Sequence, residues 1–186
     1  MRKIIIAAII IACSTINAKA QQWSVATNAI DWLNFGTMNV EASVAASRHI
    51  SANISARVNP WTFHKGDYDR QMQNRHQTYA AGIRYWPWYV YSGWWIGAKA
   101  QYSSSGRTGI WRPALEESRS VGGGLSFGYT VMLHEHINLE FGAGLWGGRH
   151  LDYTLYECPK CMMVRDSGGR YFIAPDDVSI SLMFVF

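Results

Sequence analysis

The sequence predicts an all-β chain, an eight-stranded antiparallel up-and-down transmembrane β-barrel of the outer-membrane type. Three observations carry this reading: an alternating carboxy-terminal segment that ends on an aromatic residue, a series of similar segments before it, and an export signal in front. In the last segment Val178, Ile180, Leu182, Phe184 and Phe186 share one parity, and Ser179, Ser181, Met183 and Val185 share the other. Side chains of a strand point alternately to its two faces, so this spacing gives a strand with one apolar face. Phe184 and Phe186 have the form of the closing signal that the barrel assembly machinery reads on outer-membrane barrels.

The front of the chain has the parts of a secretory signal peptide. Arg2 and Lys3 precede the apolar run Ile4 to Ala12, and Ala18-Lys19-Ala20 is a small-x-small cleavage site. A lipoprotein signal with Cys13 as the lipidated residue is the rival reading, and it ignores the better site downstream. Residues 1–20 are therefore expected to be cleaved, leaving 21–186 as a single barrel domain of 166 residues. Cleavage removes Arg2, Lys3 and Lys19 and no acid, so 17 basic residues become 14 against 13 acidic ones, and the formal charge falls from +4 to +1. The pI near 9.0 thus belongs mostly to the precursor. No basic patch remains that would suit nucleic acid.

The mature segments follow in order. Val25 to Trp32 reads as the first strand. In the second, Met38, Val40, Ala42, Val44 and Ala46 alternate with Asn39, Glu41, Ser43 and Ser47. A tight link at Arg48-His49 leads to the third, where Ile50, Ala52, Ile54, Ala56 and Val58 alternate with Ser51, Asn53, Ser55, Arg57 and Asn59. Two such runs with so short a link form a hairpin. Residues 60–75 read as a polar loop. The fourth strand runs from about Gln77 to Trp86, with Tyr79, Ala81, Ile83 and Tyr85 on one face, and ends at Pro87. After an aromatic turn, Trp94, Ile96, Ala98, Ala100 and Tyr102 mark the fifth, and 104–116 read as a second polar loop. Val121 to Val131 and Ile137 to Leu145 are the sixth and seventh, joined at His134-Glu135-His136. The longest connection, 147–174, returns to the last strand. Short connections alternate with long ones, as periplasmic turns and external loops do in such barrels.

No mature segment reaches the roughly eighteen consecutive apolar residues of a membrane helix. A membrane protein built from strands must close them into a ring, because lipid offers unpaired backbone no partner. A soluble, lipocalin-like barrel would turn the apolar parity inward. The polar parity here is rich in Gly and Ser and carries Glu41, Arg57, Arg84, Lys99 and Glu140, which suits a narrow lumen better than a water-facing wall. Glu41 and Glu140 are expected to pair there with Arg57, Arg84 and Lys99, since buried charges need partners; a narrow polar pore is the functional alternative. Trp86, Trp88, Tyr89, Tyr91, Trp94 and Trp95 at one end, and Trp61, Phe63, Tyr102, Trp111 and Trp146 towards the other, read as interfacial aromatic girdles.

Cys158-Pro159-Lys160-Cys161 is the sharpest local motif. In an exported chain a Cys-x-x-Cys pair reads first as a loop disulfide closing a tight turn. A zinc site needs about four ligands, and His150, or His64 and His76, would have to fold back to complete one; a redox pair is the third alternative. His64 with Asp67 and His150 with Asp152 have the composition of a general base and its orienting carboxylate. No nucleophile stands beside either pair in sequence, and His134 and His136 read as turn residues. No catalytic, cofactor or metal site is therefore assigned.

Several segments together resemble one family. Thr27-Asn28-Ala29-Ile30-Asp31-Trp32, Asn59-Pro60-Trp61-Thr62-Phe63, Arg84-Tyr85-Trp86 and Tyr156-Glu157-Cys158-Pro159-Lys160-Cys161 are similar to landmarks of the Bacteroidetes family called domain of unknown function 3575. The Gly122-Gly123-Gly124 to Tyr129 strand and the Ala174-Pro175 entry to the last strand also fit. The resemblance covers essentially the whole mature chain. It implies an outer-membrane barrel with no established activity and brings no catalytic residues. The functional expectation is a structural or interaction protein whose outer loops contact a surface protein or glycan, with outer-membrane lipid around the wall. The alternatives are a rim enzyme acting on lipid and a narrow channel.

Overall fold

The computed structural model describes residues 22–64, 71–108, 115–157 and 163–186. The expected export signal, Trp111, Asp67, Cys158 and Cys161 lie outside the described residues. The elements in chain order are β1 (Trp23–Asn28), α1 (Ala29–Leu33), β2 (Met38–Ala45), β3 (Ile50–Asn59), β4 (Thr62–Phe63), β5 (Met72–Tyr85), β6 (Gly93–Thr108), β7 (Leu115–His134), β8 (Ile137–Tyr156), β9 (Val164–Ser167) and β10 (Tyr171–Val185).

Eight of these strands close an antiparallel barrel in the order β1-β2-β3-β5-β6-β7-β8-β10, with β10 returning to β1. The ring closes where Leu182 pairs Thr27 on one side and Leu139 on the other. Phe186 extends the closure, donating its N–H to Trp23 C=O at 2.8 Å and accepting from Trp23 N–H at 3.2 Å. A closed ring leaves no row of unpaired backbone groups, which an open sheet edge would expose. Short turns at 46–49, 86–92 and 135–136 lie at the end where the termini meet, called the lower end below.

The apolar parity faces outward. Ile54, Ile83, Ile96, Leu125, Phe127 and Leu145 are each exposed by more than half, while Ser24, Ser43, Ser51, Gln101, Thr130 and Glu140 are buried inside. This is the inverse of a water-soluble barrel. The register stacks the outer wall in rows: Tyr79-Tyr102-Val121, then Ala81-Ala100-Gly123-Gly147, then Ile83-Ala98-Leu125-Leu145, and below these Tyr85-Ile96-Phe127-Ala143.

The structure corrects four expectations. The first strand stops at Asn28 instead of Trp32. The Asn28 side chain accepts the Ile30 N–H at 3.1 Å, an N-cap that starts α1 and turns Asp31 inward over the lumen. The two polar loops expected at 104–116 and 147–174 are largely strand, because β6, β7 and β8 continue upward. Above the apolar rows both faces become polar, so the sequence alternation fades while the hydrogen-bond ladder persists. Residues 60–75 likewise contain β4 and the start of β5. Finally, three residues expected in the lower girdle are inside: Trp86, Tyr91 and Trp95 are at most 2% exposed and pack with Ala26, Met183 and Val185. Trp88, Tyr89 and Trp94 remain outward.

Candidate functional site

The lumen is filled in layers by the inward-facing parity of the strands, and two of them carry the site. At the bottom, Trp86 stands 5.9 Å from Tyr91 and 6.2 Å from Trp95, ring centre to ring centre. Gly128 and Gly142 make room for the Trp95 indole; a Cβ at Gly128 would meet it at 2.6 Å. The Trp86 indole N–H donates to Ser51 Oγ at 3.0 Å. Tyr91 ends a polar relay: Ser24 Oγ and Ser43 Oγ are 2.9 Å apart, Ser43 Oγ donates to the Tyr91 hydroxyl at 2.9 Å, and that hydroxyl donates to Gln22 C=O at 3.4 Å. Tyr91 lies in the lower turn, and burial holds its phenol above the ordinary tyrosine value, with the Ser43 hydrogen bond opposing the shift.

The middle layer contains all five charges singled out in the sequence, in two groups. Arg84 is the hub of the first, with its guanidinium 2.8 Å from Glu41, 3.3 Å from Glu140 and 4.3 Å from the centre of the Trp95 ring. Thr130 donates to Glu140 at 3.3 Å. In the second group Arg57 reaches Asp176 at 3.3 Å and Asp31 at 3.5 Å, and Lys99 reaches Asp176 at 2.6 Å. Asp31 and Asp176 are the partners that sequence reasoning missed. Asp31 was assigned to a strand whose continuation is really α1, and Asp176 lies beside the β10 irregularity between Asp176 and Ser179, which breaks the parity count.

Two cavities of about 50 and 20 Å³ lie among these charges. A water occupies about 30 Å³ in the liquid, so each of these two spaces has room for a water or two. The plug reading of the five charges therefore fits the geometry better than a pore.

The histidines do not form the pairs considered from sequence. His150 and Asp152 face opposite ways: His150 Nδ1 is 2.7 Å from Ser120 Oγ inside the wall, and Asp152 is 3.8 Å from Arg119 outside. Ser120 is a hydroxyl partner that sequence spacing gave no reason to choose. Ser120 is 3% exposed, and the partly exposed His150 packs its ring 4.4 Å from that of Phe172. His64 sits above the third strand with a positive φ of 53°, and its suggested partner Asp67 lies outside the described residues. Among the described residues no group of three or more His, Cys, Asp or Glu is placed to hold a metal ion.

The upper outer wall is polar. Gln77, Ser104, Arg119 and Asp152 form the row above Tyr79-Tyr102-Val121, and Arg75, Gly106, Glu117 and Thr154 form the next. They line a cleft of about 480 Å³ on the outside of β5 to β8. Below it, on the same strands, lies an apolar hollow of about 1160 Å³. Phe184 faces outward on β10 between Val25 and Ile137, and Phe186 is exposed at the lower rim.

Over residues 5–186 the chain matches the family described as "Protein of unknown function (DUF3575)", and it belongs to that family. Neither the curated proteins nor the solved structures contain a match to it.

Proposed function

We propose that this family member is an outer-membrane barrel, exported through a cleaved leader, that holds a polar β-platform outside the membrane for contact with a surface protein or glycan. The observation that carries the reading is an apolar outer wall around a filled lumen. From Val121 to Val131 on β7 the outward positions are apolar or glycine. Ten residue steps at about 3.4 Å, tilted about 40°, rise about 25 Å, the height of the apolar band on such barrels.

The upper parts of β7 and β8 overrun that band. Leu115 to Ser120 and His150 to Tyr156 extend the wall by roughly 15 to 20 Å along the strand direction. Such a projection serves contact better than transport, because the lumen beneath it is packed. No catalytic role is proposed.

The test has two parts. The protein should sediment with outer membranes and show a heat-dependent gel shift; recovery in the aqueous periplasmic fraction would overturn the membrane reading. Crosslinking on intact cells should then capture a partner that is lost when residues 157–170 are replaced by a short turn. Capture of the same partners by both proteins would move the contact elsewhere on the surface.

A further inference from the structure

The outer wall of β5 to β8 is not a uniform belt. The apolar hollow is floored by Ala98, Gly123, Ala143 and Gly147 and bordered by Ile83, Leu125, Leu145 and Ile173 among others. Gly123 has an ordinary strand backbone, and a Cβ there would meet only Lys99 C=O, at 3.4 Å. Neither packing nor φ requires glycine at this outward position, although glycine weakens a strand. What its small size does is keep the hollow open. The inward Gly124 and Gly128 differ, because a Cβ on either would come within 3.0 Å of other protein atoms.

The polar cleft sits directly above on the same four strands. Along β7 the step from Gly123 up to Arg119 is four residues, about 13 Å. The cleft offers guanidinium groups (Arg75, Arg119), carboxylates (Glu117, Asp152) and neutral donors and acceptors (Gln77, Ser104). Arg149 stands between the two hollows, paired with Val121 and Tyr171 in the register. Among the described residues no carboxylate pairs with Arg75 or Arg149. Arg149 stands in the Tyr79-Tyr102-Val121 row, at the boundary between apolar and polar surface, and Arg119 stands one row above it, so two guanidinium groups on neighbouring strands suit an anion at that height. Carboxylates and amides beside them suit hydroxyl groups, which a simple phosphodiester lipid lacks.

We infer that this wall is a seat for one amphiphile, a phosphorylated glycolipid. Its acyl chains lie over Gly123 and Gly147, its phosphate faces Arg149 and Arg119, and its sugar hydroxyls enter the cleft. The inference rests on the membrane reading above. A second copy of the chain is a poorer occupant, because the polar half of the seat is mostly polar and carries charges of both signs.

The test uses the full mature protein, extracted from membranes in mild detergent and titrated by native mass spectrometry. Three probes separate the parts: an acylated, phosphorylated glucosamine disaccharide, its dephosphorylated form, and phosphatidylglycerol. The first is expected to bind about tenfold more tightly than either of the others. Gly123→Phe should weaken all three probes about tenfold by filling the hollow. Arg119→Ala with Arg149→Ala should weaken only the two phosphorylated ones, and it does not depend on whether Gly123→Phe folds. The heat-dependent gel shift reports folding of each variant.

Equal binding of the three probes, or Gly123→Phe and the double variant both binding like the native protein, overturns the seat. A dimer mass that disappears in Gly123→Phe assigns the hollow to a second copy and also overturns it. A protein that stays in the aqueous fraction without a gel shift fails the membrane reading itself, and the seat with it. One that shifts and sediments with membranes but shows no lipid preference fails only the seat.

Discussion

Lys99 reaches across the lumen to Asp176, with Nζ 2.6 Å from Oδ2, tying β6 to β10. The side chains are 10% and 16% exposed, so the pair is largely withdrawn from water. The same carboxylate also receives Arg57 at 3.3 Å. Asp176→Asn keeps the shape and removes the charge that both cations share. Removing one partner of a buried pair costs about 3 kcal/mol. A urea or heat midpoint unchanged in Asp176→Asn would show that Asp31 alone neutralises this layer.

Arg84 is the more demanding case, because both Glu41 and Glu140 converge on it. Arg84→Met takes from Glu140, 3% exposed, the guanidinium 3.3 Å away. Destabilisation of about 3–5 kcal/mol is expected. A double variant, Arg84→Met with Glu140→Gln, should recover part of it. Failure to recover any would mean that the Trp95 stacking contact carries the loss.

The aromatic floor sets conductance. In planar bilayers the native protein is expected to show no steady current, since Trp86, Tyr91 and Trp95 fill the lower lumen. Trp86→Ala should cost about 3–5 kcal/mol of stability. A native protein that conducts would contradict the filled lumen directly.

Tyr91 gives the plug a pH limit. Its folded-state value is raised by burial, so the unfolded chain ionises first as pH rises. The stabilisation is therefore complete below the ordinary tyrosine value near 10 and is lost above it. Tyr91→Phe removes this component while leaving the other tyrosines unchanged. The native protein's advantage over Tyr91→Phe, about 1 kcal/mol from the hydroxyl hydrogen bonds, should shrink as pH rises past that value. A constant difference in thermal midpoint across that range would show that Tyr91 does not titrate with folding.

Deleting Phe186 removes both main-chain hydrogen bonds to Trp23 at the ring closure. The folded fraction in isolated membranes, measured by the gel shift, should fall, while the molecules that do fold keep the native urea midpoint within about 1 kcal/mol. An unchanged folded fraction would mean that Phe184 and the rest of β10 suffice for closure.

The barrel was legible in the sequence wherever one parity was apolar. The runs Met38 to Ala46, Ile50 to Val58 and Val178 to Phe186 read directly as strands, and each lies in one to within a residue. Reading failed where the environment outside the wall turned polar. Gln77, Ser104, Arg119 and Asp152 face outward like Tyr79 and Leu125, yet their chemistry matches the inward residues, so period two vanishes from the letters. The lumen charges Glu41, Arg57, Arg84, Lys99 and Glu140 were identifiable from parity alone. Their partner choice was not, because it depends on which strands stand opposite across the ring and on a capping Asn28 that redirects Asp31.

β1, β2 and β3 have 6, 8 and 10 residues, whereas β5 to β8 have 14, 16, 20 and 20. The rim therefore climbs around the circumference, from a low sill over α1 to a tall back. In the membrane setting proposed above, such a cylinder would have a compass bearing in the plane of the bilayer. A neighbour sliding past the low side would meet little above the lipid, while one on the tall side would meet a screen of polar strand. Rotation about the membrane normal would then decide what the protein can touch, and a single partner would be enough to fix its heading.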